Sequence, residues 1–141
     1  MNTHTKRDRF WAGGFLFDST QTQVLLHKRD AKAAVNPNTW AFFGGLNEGD
    51  ETPVQCFVRE LHEELGLLIE AGDAIPLCDY LNVELNTYRY VFYVRRYVPE
   101  AQLTLGEGEG FAWLPVGDLK NYPLTEKTVR DLRYFIDHGM H

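Results

Sequence analysis

The chain has 141 residues, 44% of them hydrophobic and 13% aromatic, enough for one core of ordinary domain size. Fourteen Lys and Arg against twenty Asp and Glu leave a net charge of −6, which argues against a broad basic face for nucleic acid. No apolar run reaches the roughly 18–20 residues of a membrane span, and the basic start MNTHTKRDRFW lacks the apolar stretch of a secretory signal.

No repeat, low-complexity tract or linker divides the chain, so residues 1–141 read as a single domain, with 1–8 as a flexible N-terminal arm. FWAGGFLFD (10–18) predicts a strand, STQTQ a turn, and VLLHKR (24–29) its antiparallel partner. DAKAAVNPNT (30–39) predicts a loop, because Asn36-Pro37-Asn38 suits neither strand nor helix. WAFFGGL (40–46) follows as one short strand ending in glycines.

The next element is punctuated at both ends. Thr52 suits an N-cap, Pro53 the first helical position, Gln55 the reciprocal cap, and Gly66 the left-handed C-terminal position. Between them Val54, Phe57, Val58, Leu61 and Leu65 form one apolar stripe, predicting a helix over 53–65. IPLCDYLNV (75–83) and YRYVFYVRRYV (88–98) predict a hairpin, the second strand being long enough to lie inside a sheet. LGEGEG (105–110) is a glycine-rich loop leading into a strand at FAWLP (111–115). A last helix is predicted from a Thr125 cap to His138, with Val129, Leu132 and Ile136 as its apolar stripe. This order predicts an α/β fold, a mixed sheet covered by helices. Cys56 and Cys78 have no metal-type spacing, which fits a reducing cytoplasm.

Residues 45–67, GLNEGDETPVQCFVRELHEELGL, hold six acids and one arginine, a local charge of −5. At about 100° per residue, Glu60, Glu63 and Glu64 span an arc of roughly 100°, expected to point outward from the apolar stripe. A solvated acidic face is the ordinary alternative. Like charges at i, i+3 and i, i+4 destabilise a helix, however, and only Arg59 is near enough to offset them. Clustered hard oxygen ligands on a rigid element suit Mg²⁺, with Mn²⁺ as the alternative.

The spacing Gly45, Glu51, Arg59, Glu60, Leu61, Glu63, Glu64, Gly66, Leu67 resembles the Nudix box without departure. Weaker likenesses extend over most of the chain: the strand pair ending at Arg29, Trp40 ahead of Gly44-Gly45, and an acidic loop before Trp113. The resemblance implies a Nudix-type α/β/α sandwich and hydrolysis of a diphosphate bond in a nucleoside diphosphate derivative, with a divalent metal. It places Glu60, Glu63, Glu64 and the carbonyl of Gly44 around the metal, with Arg59 orienting the acids. Gly45 and Glu51 would support substrate binding, and Arg29 would contact phosphate, a use that suits a guanidinium fork. Relatives take their general base from the box or from a downstream loop, so Glu60, Glu107 and Glu109 are the candidates here. The implied partner is a small nucleotide, with no nucleic acid and no membrane; homodimers are common in the family.

Trp40, Phe42 and Phe43 read as core in preference to a base-stacking platform. Phe43 departs from the proline that many relatives carry, and Cys56 reads as a packing residue. No histidine pattern suggests a ligand set. Some Nudix subfamilies carry a proline or tyrosine downstream of the box, but residues 82–85 are Asn-Val-Glu-Leu, so neither marker is present. The default substrate is therefore a nucleoside triphosphate or small nucleotide derivative. A catalytically silent nucleotide sensor and an acidic-helix interaction domain are the alternatives.

Overall fold

The structure is a computed structural model that describes residues 9–33, 38–106 and 108–140. The expected N-terminal arm lies outside the described residues. β1 (Phe10–Asp18) pairs in parallel with β6 (Thr87–Arg95) along one edge. Along its other edge β1 has two antiparallel partners in succession: β4 (Phe43–Leu46) at residues 11–14, then β2 (Gln23–Lys28) at residues 16–18. β2 carries β7 (Gly110–Pro115) on its far side, and β5 (Ile75–Asn82) forms the hairpin with β6. The sheet is thus mixed, and β6 occupies an interior position as expected.

WAFFGGL is not one strand. Trp40–Ala41 forms β3 against β2, while Phe43–Leu46 joins β1. β1 and β2 part company after the Leu16–Leu25 pair, and this segment crosses the gap. Phe42, between the two ladders, marks the change of partner. The second strand of the hairpin also ends earlier than expected, at Arg95.

Side chains on β1 alternate between two cores, as the pleat requires. Phe10, Ala12 and Leu16 pack with Phe57, Leu61 and Leu65 of α1 (Pro53–Leu65). Phe15 and Phe17 face the other way, against Leu132 and Phe135 of α2 (Glu126–His138). Phe135 meets Phe15, Phe17 and Tyr93 edge-on, each at centroid distances of 4.9–5.0 Å, the favoured aromatic geometry.

Helix α1 starts and stops where its sequence dictates. Thr52 and Gln55 exchange side-chain-to-backbone hydrogen bonds of 3.3 and 2.9 Å, and Gly66 takes the left-handed φ of 66°. Helix α2 has its Thr125 cap, but its buried face differs from the expected stripe. Val129 is 37% exposed, whereas Thr128, Asp131, Leu132 and Phe135 are buried. The polar members of that face are satisfied locally: Thr128 shares a 2.7 Å hydroxyl contact with Thr125, and Asp131 receives Arg89. Counting apolar letters alone therefore rotated the helix. No helix among the described residues is long and apolar enough to cross a membrane.

Candidate active site

The glycines of β4 form a floor beneath the acidic helix. A Cβ at Gly45 would run into the Glu60 carboxylate, so only glycine lets that side chain reach the strand. The Gly44 N–H donates to Glu64 Oε1 at 3.0 Å. Glu60 and Glu64 are accordingly buried, at 8% and 4% exposure, while Glu63 remains exposed. This corrects the expectation that all three carboxylates point outward. Glu64 follows Phe57 by seven residues, almost two full turns, so it shares an azimuth with the edge of the apolar stripe.

Burying carboxylates is costly unless they are paired and hydrogen-bonded. Arg59 supplies much of the pairing. Its Nη1 lies 3.1 Å from both Glu60 and Glu63 and 3.4 Å from Glu48, and its Nε donates to Glu51 at 2.6 Å. Nη2 donates to the Leu46 carbonyl and to Glu51, both at 3.1 Å, tying the helix to the strand–helix loop. The Arg59 bonds hold the Glu51 carboxyl below its ordinary pKa, and those bonds in turn push the guanidinium pKa above its ordinary range. Cys56 packs behind this cluster, its thiol directed to the Gly45 carbonyl at 3.5 Å; burial pushes it up to about 12, so it stays a neutral thiol.

A cavity of about 670 Å³ opens beside this floor. Gly44 and Glu64 line one end, together with Arg29 and His27 at the end of β2. Trp11, Phe42 and Arg89 line its sheet side. Asn82, Glu84 and Leu85 close it from the β5–β6 hairpin, and Thr125–Thr128 contribute the start of α2. Ala41, beside Phe42 in the segment that crosses from β2 to β1, lines it as well.

The expected residues distribute unevenly around it. Glu64, Gly44 and Arg29 line the cavity; Glu60 and Gly45 lie behind Glu64 in the floor, and Glu51 and Arg59 pair with each other. Glu109 is exposed and donates its backbone N–H to the Lys28 carbonyl; it does not itself line the cavity, although Gly108 beside it does. Glu107 lies outside the described residues. Among the described residues, no three His, Cys, Asp or Glu side chains come together as a ready metal-ligand group. Two of the expected donors nevertheless share one cation already, the Arg59 Nη1 atom.

Trp11, Asn82 and Arg89 were not singled out from sequence. Arg89 has its guanidinium 4.1 Å over the Trp11 ring and donates Nε to Asp131 at 3.0 Å. Nothing in YRYVF distinguishes such an arginine from a surface one. Trp40 stacks edge-on with Tyr122, and Phe43 is fully buried against His27, so both are structural. Phe42 is buried yet borders the cavity, which gives it a place in both readings.

The model of the NUDIX domain family matches residues 9–138. The chain is 31% identical over 114 residues to the nucleoside triphosphatase NudI of Klebsiella pneumoniae subsp. pneumoniae, covering 74% of this chain and 81% of that one. It is 28% identical over 116 residues to the CTP pyrophosphohydrolase of Escherichia coli K12, covering 81% and 82%. Among solved structures, the MutT NUDIX hydrolase of Burkholderia pseudomallei aligns with a TM-score of 0.72 at 26% identity, over 89% of this chain and 96% of that one.

Proposed function

Since the chain belongs to the NUDIX domain family and is a Nudix hydrolase, we propose that it is a divalent-metal-dependent pyrophosphohydrolase of nucleoside triphosphates or related nucleoside diphosphate derivatives. One observation carries this reading: a nucleotide-sized cavity runs from Glu64 and Gly44 to the β5–β6 hairpin, and the acidic helix forms one end. Known ligand sites of small molecules fall in the same range, roughly 300–1,000 Å³. The names of the two relatives, a nucleoside triphosphatase and a CTP pyrophosphohydrolase, support the same substrate class.

Glu60, Glu63 and Glu64, with the Gly44 carbonyl, are the donors for Mg²⁺ or Mn²⁺. They fit such an ion by chemistry, being hard oxygen ligands, and Glu60 and Glu63 already converge on a cationic nitrogen. When bound, the ion offsets the diphosphate charge and lowers the pKa of a water molecule. Arg59 holds Glu60 and Glu63 in place, and Glu51 fixes Arg59 from the opposite side. Arg29 borders the same end of the cavity and supplies a guanidinium for a phosphate oxygen. A carboxylate then accepts the proton of the attacking water; Glu60 is the candidate in the helix, Glu107 and Glu109 those of the loop. The net charge of −6 favours small nucleotides over nucleic acid, and we place the enzyme in the cytoplasm.

The test is a hydrolysis screen over nucleoside triphosphates, nucleotide sugars, ADP-ribose, dinucleoside polyphosphates and coenzyme A, with Mg²⁺ and Mn²⁺ compared. Metal-dependent release of phosphate or pyrophosphate is expected. Glu64→Gln should lower it by about 100-fold or more while melting close to wild type, because the amide oxygen still accepts from the Gly44 N–H. Absence of turnover across the screen, or full turnover in Glu64→Gln, would refute the proposal.

A further inference from the structure

Asn82 ends strand β5, and it is one of the few buried polar residues, at 9% exposure. Among the described residues its side-chain Oδ1 is buried without a hydrogen-bond partner, and the residue lines the cavity. A buried acceptor left without a donor is a standing penalty, and native proteins rarely keep one without a use. Leucine would fill the same space without that penalty.

Its surroundings say what kind of donor is missing. Tyr80 lies across from Arg89 in the β5–β6 ladder, so Asn82, two residues on, shares that sheet face. Trp11 lies across from Arg89 on the other side. The guanidinium of Arg89 is 4.1 Å over the Trp11 ring and 5.7 Å from that of Phe42, and its charge is matched by Asp131. Arg89 spends Nε on that pair and retains the N–H groups of its two terminal nitrogens. Glu84, paired with Lys127 at 3.0 Å, and Glu126 border this end of the cavity, which leaves it less cationic than the Arg29 end. What remains is an aromatic-sided space in which Asn82 offers a buried acceptor still in need of a donor and Arg89 offers several donors.

We propose that Asn82 is a specificity residue whose Oδ1 accepts a hydrogen bond from the exocyclic amino group of a nucleobase. A carbonyl oxygen in the place of that amino group would set two acceptors face to face unless the amide turned to present its Nδ2, so uracil binds only at the cost of that turn. The Arg89 donors ask for a ring carbonyl as well, which adenine lacks. The site therefore takes cytosine and guanine ahead of uracil and adenine. This inference rests on the reading of the cavity as a nucleotide site.

Binding of nucleoside monophosphates, followed by titration calorimetry, tests it apart from catalysis. Wild type should bind CMP and GMP about 10- to 100-fold more tightly than UMP. The ribonucleotide of 2-pyrimidinone, which is CMP without its amino group, should bind as weakly as UMP. Asn82→Leu and Asn82→Ala should bring CMP and UMP to within about threefold of each other, and Asn82→Leu should melt no lower than wild type. Equal binding of CMP and the 2-pyrimidinone ribonucleotide to wild type overturns the proposal, a comparison that needs no variant. So does a preference for CMP that survives in a folded variant. A base preference without hydrolysis of any triphosphate would overturn the hydrolase reading and uphold Asn82; hydrolysis of CTP and UTP at equal kcat/KM would do the reverse.

Discussion

Asp131→Ala should be among the most damaging single changes in the molecule. Asp131 is 1% exposed and Arg89 8%, and they meet at 3.0 Å. Asp131 Oδ1 also receives the Tyr80 hydroxyl at 2.8 Å and faces the Cys78 thiol at 3.8 Å. Removing the carboxylate leaves a guanidinium trapped beneath the Trp11 ring with no counter-charge, which costs about 3–5 kcal/mol. Losing the Tyr80 bond adds about 1 kcal/mol. For a domain of this length that lowers Tm by about 10–20 °C. Urea denaturation followed by tryptophan fluorescence gives the free energy, with Trp11 as a local reporter. Arg89→Ala and the double variant complete a cycle, and the double variant should lose at least about 2 kcal/mol less than the sum of the singles. A loss below about 1 kcal/mol in Asp131→Ala, or strict additivity, would refute the pairing on which the cavity wall depends.

Gly45→Ala should lower hydrolysis by about 100-fold by pushing Glu60 off the β4 floor, measured as phosphate release; unchanged turnover would show that Glu60 need not sit there. Leu61→Ala, in the centre of the α1 core, should cost about 2–5 kcal/mol, and wild-type melting would contradict the helix orientation. Glu51→Gln tests the ion-pair network by pH. The folded pKa of Glu51 is depressed, chiefly by the Arg59 hydrogen bond. Its stabilisation is therefore present above the unfolded value of about 4.3 and is lost as pH falls through the folded value. The variant should be less stable at neutral pH and lose less on acidification, read from melts between about pH 6 and pH 2; parallel pH curves would exclude the network as the cause.

Local punctuation made α1 legible. Thr52, Pro53, Gln55 and Gly66 each have one good conformation, and the helix occupies residues 53–65 as expected. The Nudix box was legible from its spacing, of which only the part from Arg59 to Glu64 follows the turns of that helix. The direction of the carboxylates was not, because the floor that buries Glu60 and Glu64 comes from glycines on another strand. A wheel drawn from α1 alone has no knowledge of β4. The face of α2 failed similarly: Asp131 is buried because Arg89, forty-two residues earlier, waits for it. Asn82 and Trp11 were invisible as cavity residues, since their proximity follows from the β1–β6–β5 pairing and not from any spacing. Residues 82, 84 and 85, read from the sequence only as lacking the Pro and Tyr markers, line the cavity.

The segment from Trp40 to Leu46 hydrogen-bonds first to β2 and then to β1. Its residue count is therefore fixed at both ends by separate ladders. Inserting or deleting one residue at Phe42 would exchange the sides to which Phe42 and Phe43 point and carry Gly44 and Gly45 out from under the carboxylates. Two ladders thus hold the length of these seven positions, one at each end.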